Sequence, residues 1–180
     1  MRRVKVSAKM ARLRFHGCTP EYIRDVCHGA CCRSSSQPSG TLISVLPEEA
    51  PALEARGARV INGRIDTPAK RCPFQTTEHL CGIHFTPDKP FGCIASPFTF
   101  NANGTLVVRN RYKMLRCYDE GPRIPAYLAF AASLKLIFGE VEAARITAHL
   151  DGGGEDLFAW VSEVTLFSMG ALDALKKAPT

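Results

Sequence analysis

The stretch Cys27-His28-Gly29-Ala30-Cys31-Cys32 sets three cysteines and a histidine within six positions, and Cys18, Cys72, Cys81, Cys93 and Cys117 add five more cysteines to a chain of 180 residues. So many thiols restrict what the chain can become: a disulfide framework, a metal or iron–sulfur site, or a thiol catalyst. Length removes part of the first option, because 180 residues can bury a core without covalent staples. The composition, 46% apolar and 22% charged, is that of a globular rather than a disordered chain.

The N-terminal sequence Met1–Gly17 is cationic and never develops the apolar centre of a secretory signal. The longest apolar stretch, 124–139, is shorter than a bilayer span and carries Lys135. A cytoplasmic location with no membrane association is therefore expected. In a reducing compartment stable disulfides are rare, which moves the cysteines toward metal or redox chemistry.

The net charge of +6 is gathered in two places: Arg2, Arg3, Lys5, Lys9, Arg12 and Arg14, then Arg109, Arg111, Lys113 and Arg116. Such clusters suit phosphate contacts, and a solvated basic surface accounts for them equally well. No interleaved aromatic pattern and no helix-turn-helix signature accompanies them. Nucleic acid or a protein substrate stands as the partner reading, and the oligomeric state is not legible.

Along the chain, residues 1–17 read as a basic arm with a short strand at Val4–Val6. Residues 18–123 read as a cysteine-cluster, metal-binding region, and 124–177 as a helical segment packed on it, all within one domain. Thr19 followed by Pro20 and Glu21 predicts one or two helical turns that deliver Cys27 at their end. Residues 33–40 are polar and read as loop, 41–46 as strand, and 47–57 as a short helix entered by Pro and left at Gly57. From 58 to 123 short β segments are expected at ARVI, CGIHF, CIASPFTF and TLVVRNRYKML, with a hairpin at Asn101–Gly104. Tyr127, Phe130, Ala131, Leu134, Phe138 and Val141 recur at helical spacing, with a break at Gly139. Residues 151–156 read as a loop and helix start, and 157–177 as a second amphipathic helix ending in two lysines. The fold class is α+β: a small cysteine-rich, metal-centred domain of short strands and turns, covered by C-terminal helices.

Within the cysteine set, Cys27 and Cys31 form the local pair, and Cys72, Cys81 and Cys93 are the candidates that folding must bring in. If the vicinal Cys31 and Cys32 were extended, they would point to opposite sides. Cys72 precedes Pro73, a neighbour seen in iron–sulfur motifs. Gly82 beside Cys81 allows close backbone approach, and Pro90 and Pro97 stiffen the segment around Cys93. A single buried cysteine is ordinary packing, but eight in this pattern are not.

The succession CHGACC, CPF, LCGIH, KPFGC with a proline four residues later, and LRCYDEG resembles the YkgJ-like family of cysteine-cluster proteins, described as zinc- or iron-chelating. That family carries a CxxCxxCC signature, then CPF, Cys-x-Ile-Tyr/His and Pro-x-x-Cys segments, and the similarity covers roughly residues 18–118. It implies a metal centre held by members of the set Cys18, Cys27, Cys31, Cys32, Cys72, Cys81, Cys93 and Cys117. Here His28 stands where the family's signature has its second cysteine, with Cys27 just before it, and Cys18 is a spatial substitute for the first. His28 is then a ligand, a group hydrogen-bonded to one, or a bystander. Flagellin lysine methylases are similar over the cluster, which implies that such a scaffold can belong to an enzyme.

Thiolates serve both zinc and iron–sulfur centres. No C-x-x-C knuckle is present, and the dispersed spacing, the vicinal pair and Cys-Pro lean toward a 4Fe–4S cluster, with zinc as the alternative. Two functions follow from this. One is a metal-binding protein belonging to a protein- or nucleic-acid-modifying enzyme, and the other is a metal-stabilised module that binds nucleic acid or another acidic partner. His28, Glu78, His79, His84 and Asp88 are the acid–base groups near the cysteines, and none is assigned a catalytic role.

Overall fold

Val4 and Val6 alternate with Arg3 and Lys5, and this period of two makes Arg2–Val6 a strand, β1, buried on its valine side. The structure, a computed structural model, describes residues 1–33, 40–67, 70–84, 86–119 and 123–172. After β1 come β2 (Arg14–Phe15), α1 (Pro20–Tyr22), β3 (Gly40–Ser44), α2 (Ala50–Ala55), β4 (Val60–Ile61), β5 (Arg64–Thr67) and α3 (Phe91–Ala95). The chain continues through β6 (Phe98–Phe100), β7 (Thr105–Val108), α4 (Arg116–Asp119), β8 (Ile124–Pro125), α5 (Ala126–Ala129), α6 (Ala131–Phe138), α7 (Glu140–Asp151), β9 (Leu157–Val161) and α8 (Glu163–Ser168). The class is α+β. Among the described residues no helix is long and apolar enough to cross a membrane.

Two compact units form, one of Met1–Gly17 with Ile94–Thr180 and one of Cys18–Cys93. The break after residue 17 is the expected one, the other falls after 93 and not 123, and the reason is β1. It lies inside the sheet β6-β7-β1-β9, parallel to β7 and antiparallel to β9, so the N-terminus belongs with the C-terminal half and is not an arm.

In this first unit the expected hairpin is present. Asn101 Oδ1 accepts from the N–H groups of Asn103 and Thr105, both at 3.0 Å, and Gly104 supplies the positive φ of +68° that the turn into β7 requires. Gly139, at φ +80°, separates α6 from α7. These helices, expected to cover the cysteine-rich part, pack on each other and on β9 of their own unit. Phe130 sits among Phe15, Tyr112 and Phe98, with ring centres 4.9, 5.6 and 6.0 Å away, a geometry that adds to simple area burial.

The predicted helix over 157–177 is corrected. Leu157–Val161 is a strand with Leu157, Ala159 and Val161 buried, and the helix is confined to α8, capped by Ser162 Oγ accepting from Thr165 N–H at 3.0 Å. A five-residue apolar run carries no periodicity that separates strand from helix, so pairing with β1 decides it. The two C-terminal lysines of that prediction lie outside the described residues. Likewise CGIH forms turns and a single bridge rather than a strand, and Cys93 lies in the short helix α3.

The second unit holds the sheet β3-β5-β4 and α2, around Val45, Leu53, Ala58, Ile65 and Ile83. Most of the loop expected at 33–40 lies outside the described residues.

At the edge of the first unit's sheet, Glu142 accepts from Arg145 at 2.7 and 2.9 Å and from Trp160 N–H at 2.8 Å. Its carboxyl is held below the ordinary carboxylate value, first by the Arg145 hydrogen bonds, against partial burial. A depressed carboxyl contributes stability above its unfolded pKa and loses it as pH falls through the folded value. Glu142→Gln is therefore expected to cost about 1 kcal/mol at pH 7. In denaturant titrations at a series of pH values, that difference should vanish under acid conditions.

Candidate metal centre

Thr19 caps α1 as its sequence predicts, its Oγ1 accepting from Tyr22 N–H at 3.2 Å with Pro20 at the first helical position. The helix continues as a wider π turn through Ile23–Cys27 and stops where His28 and Gly29 both turn left-handed, at φ +51° and +59°. Cys27 thus leaves from a helix end. Cys31 and Cys32 follow in a 3-10 turn, Ala30–Cys32. That segment is not extended, so strand alternation does not govern the pair, and a side-chain hydrogen bond with Cys31 raises the Cys32 thiol.

The distal cysteines reach this turn through the backbone. Cys72 N–H donates to Cys32 O at 3.0 Å, and Arg33 and Arg71 form an antiparallel bridge beside it. Gln75 N–H then donates to Cys72 O at 3.0 Å, Gly82 N–H donates to Phe74 O at 2.8 Å, and Gln75 bridges to Cys81. The buried Gln75 side chain completes the join: its Nε2 donates to His28 O, Gly29 O and His79 O at 3.1, 3.3 and 3.2 Å. Cys93 is fixed separately. Glu49 accepts from Phe91 N–H at 2.7 Å and from Leu46 N–H at 2.9 Å, and a Cβ on Gly92 would overlap Ser44 O.

The electrostatics show which thiols this arrangement gathers. Cys18, Cys27, Cys32, Cys72 and Cys93 each feel the charge that Cys31 would carry, and Cys32, Cys72 and Cys93 also feel that of Cys81. Loss of solvent is the first cause for Cys93, pushed up to about 12, and for Cys72 and Cys27, both raised. Cys32 is raised first by its bond to Cys31 and then by burial. Cys18, the one exposed member, is still pushed up to about 11 by desolvation and then by Cys31 and Cys27. Lys89 opposes the shift at Cys18 and Cys93. All eight cysteines are thiols. Seven of them lie in the Cys18–Cys93 unit, and Cys117 lies buried in α4 of the other unit.

The acid–base candidates have structural employment. His28 Nδ1–H donates to Arg24 O at 2.8 Å, and its ring meets that of His79 edge-on at 4.8 Å. His79 Nδ1 accepts from Arg33 at 3.3 Å, and His84 Nδ1 accepts from Lys89 Nζ at 2.6 Å. Asp88 is paired with Arg56 at 2.5 Å, and Glu78 is exposed. Sequence reasoning missed Gln75 and Lys89, since nothing in a single glutamine or lysine distinguishes a buried clamp from a surface residue.

Among the described residues no three Cys, His, Asp or Glu side chains are closed into a group that could hold a metal ion. The donor chemistry does fit one: desolvated cysteines which, as thiolates, would repel one another unless a soft cation lay between them. No protein-family model, curated protein or solved structure significantly matches the chain.

Gly29 tests the join. A Cβ there would overlap the Gln75 amide and approach His79 O to 2.5 Å, at a φ already costly for an L residue. Gly29→Ala is expected to destabilise by more than about 2 kcal/mol. Gly57→Ala, at φ +88° with nothing within 4 Å, should lose only about 1 kcal/mol, as read by thermal melting of both variants.

Proposed function

We propose that the chain is a metal-binding protein whose Cys18–Cys93 unit holds a 4Fe–4S cluster through thiolates, with zinc as the competing occupant, in a reducing, cytoplasmic setting. The observation that carries the reading is the backbone join from Cys72 N–H to Cys32 O, which links the local cysteine turn to the distal segment. Cys31 belongs in the ligand set because a charge on it would raise five other thiols. Four thiolates would complete one centre, drawn from Cys27, Cys31, Cys32, Cys72, Cys81 and Cys93, with Cys18 at the exposed margin. The resemblance to the YkgJ-like proteins points to these same cysteines together with Cys117.

The small apolar core of this unit supports a structural role. Val45, Leu53, Ala58, Ile65 and Ile83 surround the sheet and α2, while Cys27, Cys31, Cys32 and Cys72 sit on half-buried turns. A bound metal adds its binding free energy directly to such a unit's folding.

Anaerobic purification followed by absorption spectroscopy and iron, sulfide and zinc determination decides the occupant. Iron and sulfide in equal amounts are expected, and metal-free protein with intact thiols would overturn the reading. Cys31→Ser and Cys72→Ser should lose metal and melt at lower temperature.

A second expectation follows from the raised thiols. They are protonated at neutral pH, so each ligating cysteine must release a proton. Zinc titration of metal-free protein in weak buffer should liberate about four protons per ion, and its apparent affinity should fall as pH is lowered.

A further inference from the structure

The strand β9 reads Leu-Phe-Ala-Trp-Val, apolar at every position. Such a strand suits a sheet covered on both faces. Here one face is buried in the core, while Phe158 and Trp160 on the other are 47% and 53% exposed. On the neighbouring β1, Arg3 lies opposite Trp160 and Lys5 opposite Phe158. The Arg3 guanidinium stands 4.1 Å from the centre of the Phe158 ring, and the Lys5 ammonium 5.9 Å from it. The same face continues through Val107 and Thr99, which are paired and half-buried. None of these positions is acidic. Of the carboxylates beside β9, Glu163 is paired with Arg2 at 2.9 Å, Glu142 with Arg145 at 2.7 Å, and Asp156, the residue before Leu157, accepts from Ala8 N–H at 2.8 Å.

The edge of β9 is engaged. Arg145 donates to Phe158 O at 2.6 Å and Glu142 accepts from Trp160 N–H at 2.8 Å, so strand addition is opposed there. A second copy packed face to face would set Arg3 and Lys5 against their own counterparts. The face therefore suits a polyanion that also brings flat apolar surfaces. Phe158 and Trp160 are two residues apart on a strand, about 7 Å, so each ring can take one unstacked base. Arg3 and Lys5 lie where the connecting phosphates would run.

We propose that this face of the sheet, centred on Arg3, Lys5, Phe158 and Trp160, binds single-stranded nucleic acid by stacking bases on the two rings and pairing phosphates with the two cations. Duplex, whose base faces are hidden in the stack, binds more weakly. The interleaving of aromatic and basic residues absent from the linear sequence is created by the pairing of β1 with β9. The proposal is independent of the thiol centre, and metal content measured on the same samples separates the two.

Trp160 is the chain's single tryptophan, so its emission reports on the site directly. Titration with 15-mers of thymidine and uridine nucleotides, a duplex of equal length, and phosphatidylserine vesicles should give saturable quenching by the single strands and less by the duplex. With fluorescently labelled oligonucleotides, Trp160→Ala and Phe158→Leu should each raise Kd about tenfold. Lys5→Gln should lower the slope of log K against log salt by about 0.7. Metal content and circular dichroism should match the parent protein in all three variants. Any of three results overturns the proposal: no quenching by single strands at low salt, equal binding of duplex with no effect of the ring variants, or a response to vesicles and not to oligonucleotides.

Discussion

A hydrogen bond between two cysteine backbones, Cys72 N–H to Cys32 O, carries the organisation of the Cys18–Cys93 unit. The two segments it joins are separated by 40 residues in sequence, and loop closure over such a length opposes their meeting. The bond does not act alone. The buried Gln75 amide donates to three carbonyls on both sides of the join, and Gly29 is the residue small enough to let that amide in. The glycine at the centre of CHGACC thus serves the approach of another segment as well as the left-handed turn.

This assembly places thiols where they oppose one another. Each additional thiolate would raise the cost of the next, and burial withholds the solvent that would screen them. Lys89 offsets part of that cost at Cys18 and Cys93, but one ammonium cannot neutralise a full ligand set. If the unit binds metal as proposed, loading would displace protons from these thiols.

In the other unit the governing constraint is the position of β1. Because it pairs with both β7 and β9, its alternating residues must serve two environments. Val4 and Val6 enter the core, and Arg3 and Lys5 are held outward beside Phe158 and Trp160. The basic character of the N-terminus is thereby fixed in register rather than left on a solvated tail. The aromatic pair is held on a strand whose edge is engaged by α7 through Glu142 and Arg145.

Local chemistry was legible in the sequence wherever the controlling partner is a few residues away. Thr19 and Pro20 start a helix, Asn101–Gly104 makes a hairpin, and Gly139 separates two helices, because caps and positive φ are settled by neighbours. The cysteine list and its two-part grouping were readable for the same reason, as the clustering of Cys27, Cys31 and Cys32 is a fact of spacing. Tertiary pairing decided the rest. Leu157–Val161 is a strand only because β1 lies beside it, and the first 17 residues cease to be an arm by the same contact. Gln75 becomes a clamp only once His28, Gly29 and His79 present their carbonyls to it, and Cys117 folds within the first unit while the other seven cysteines fold within the second. A run of five apolar residues, a lone glutamine and a lone cysteine carry no periodicity, and their roles follow from contacts distant in sequence.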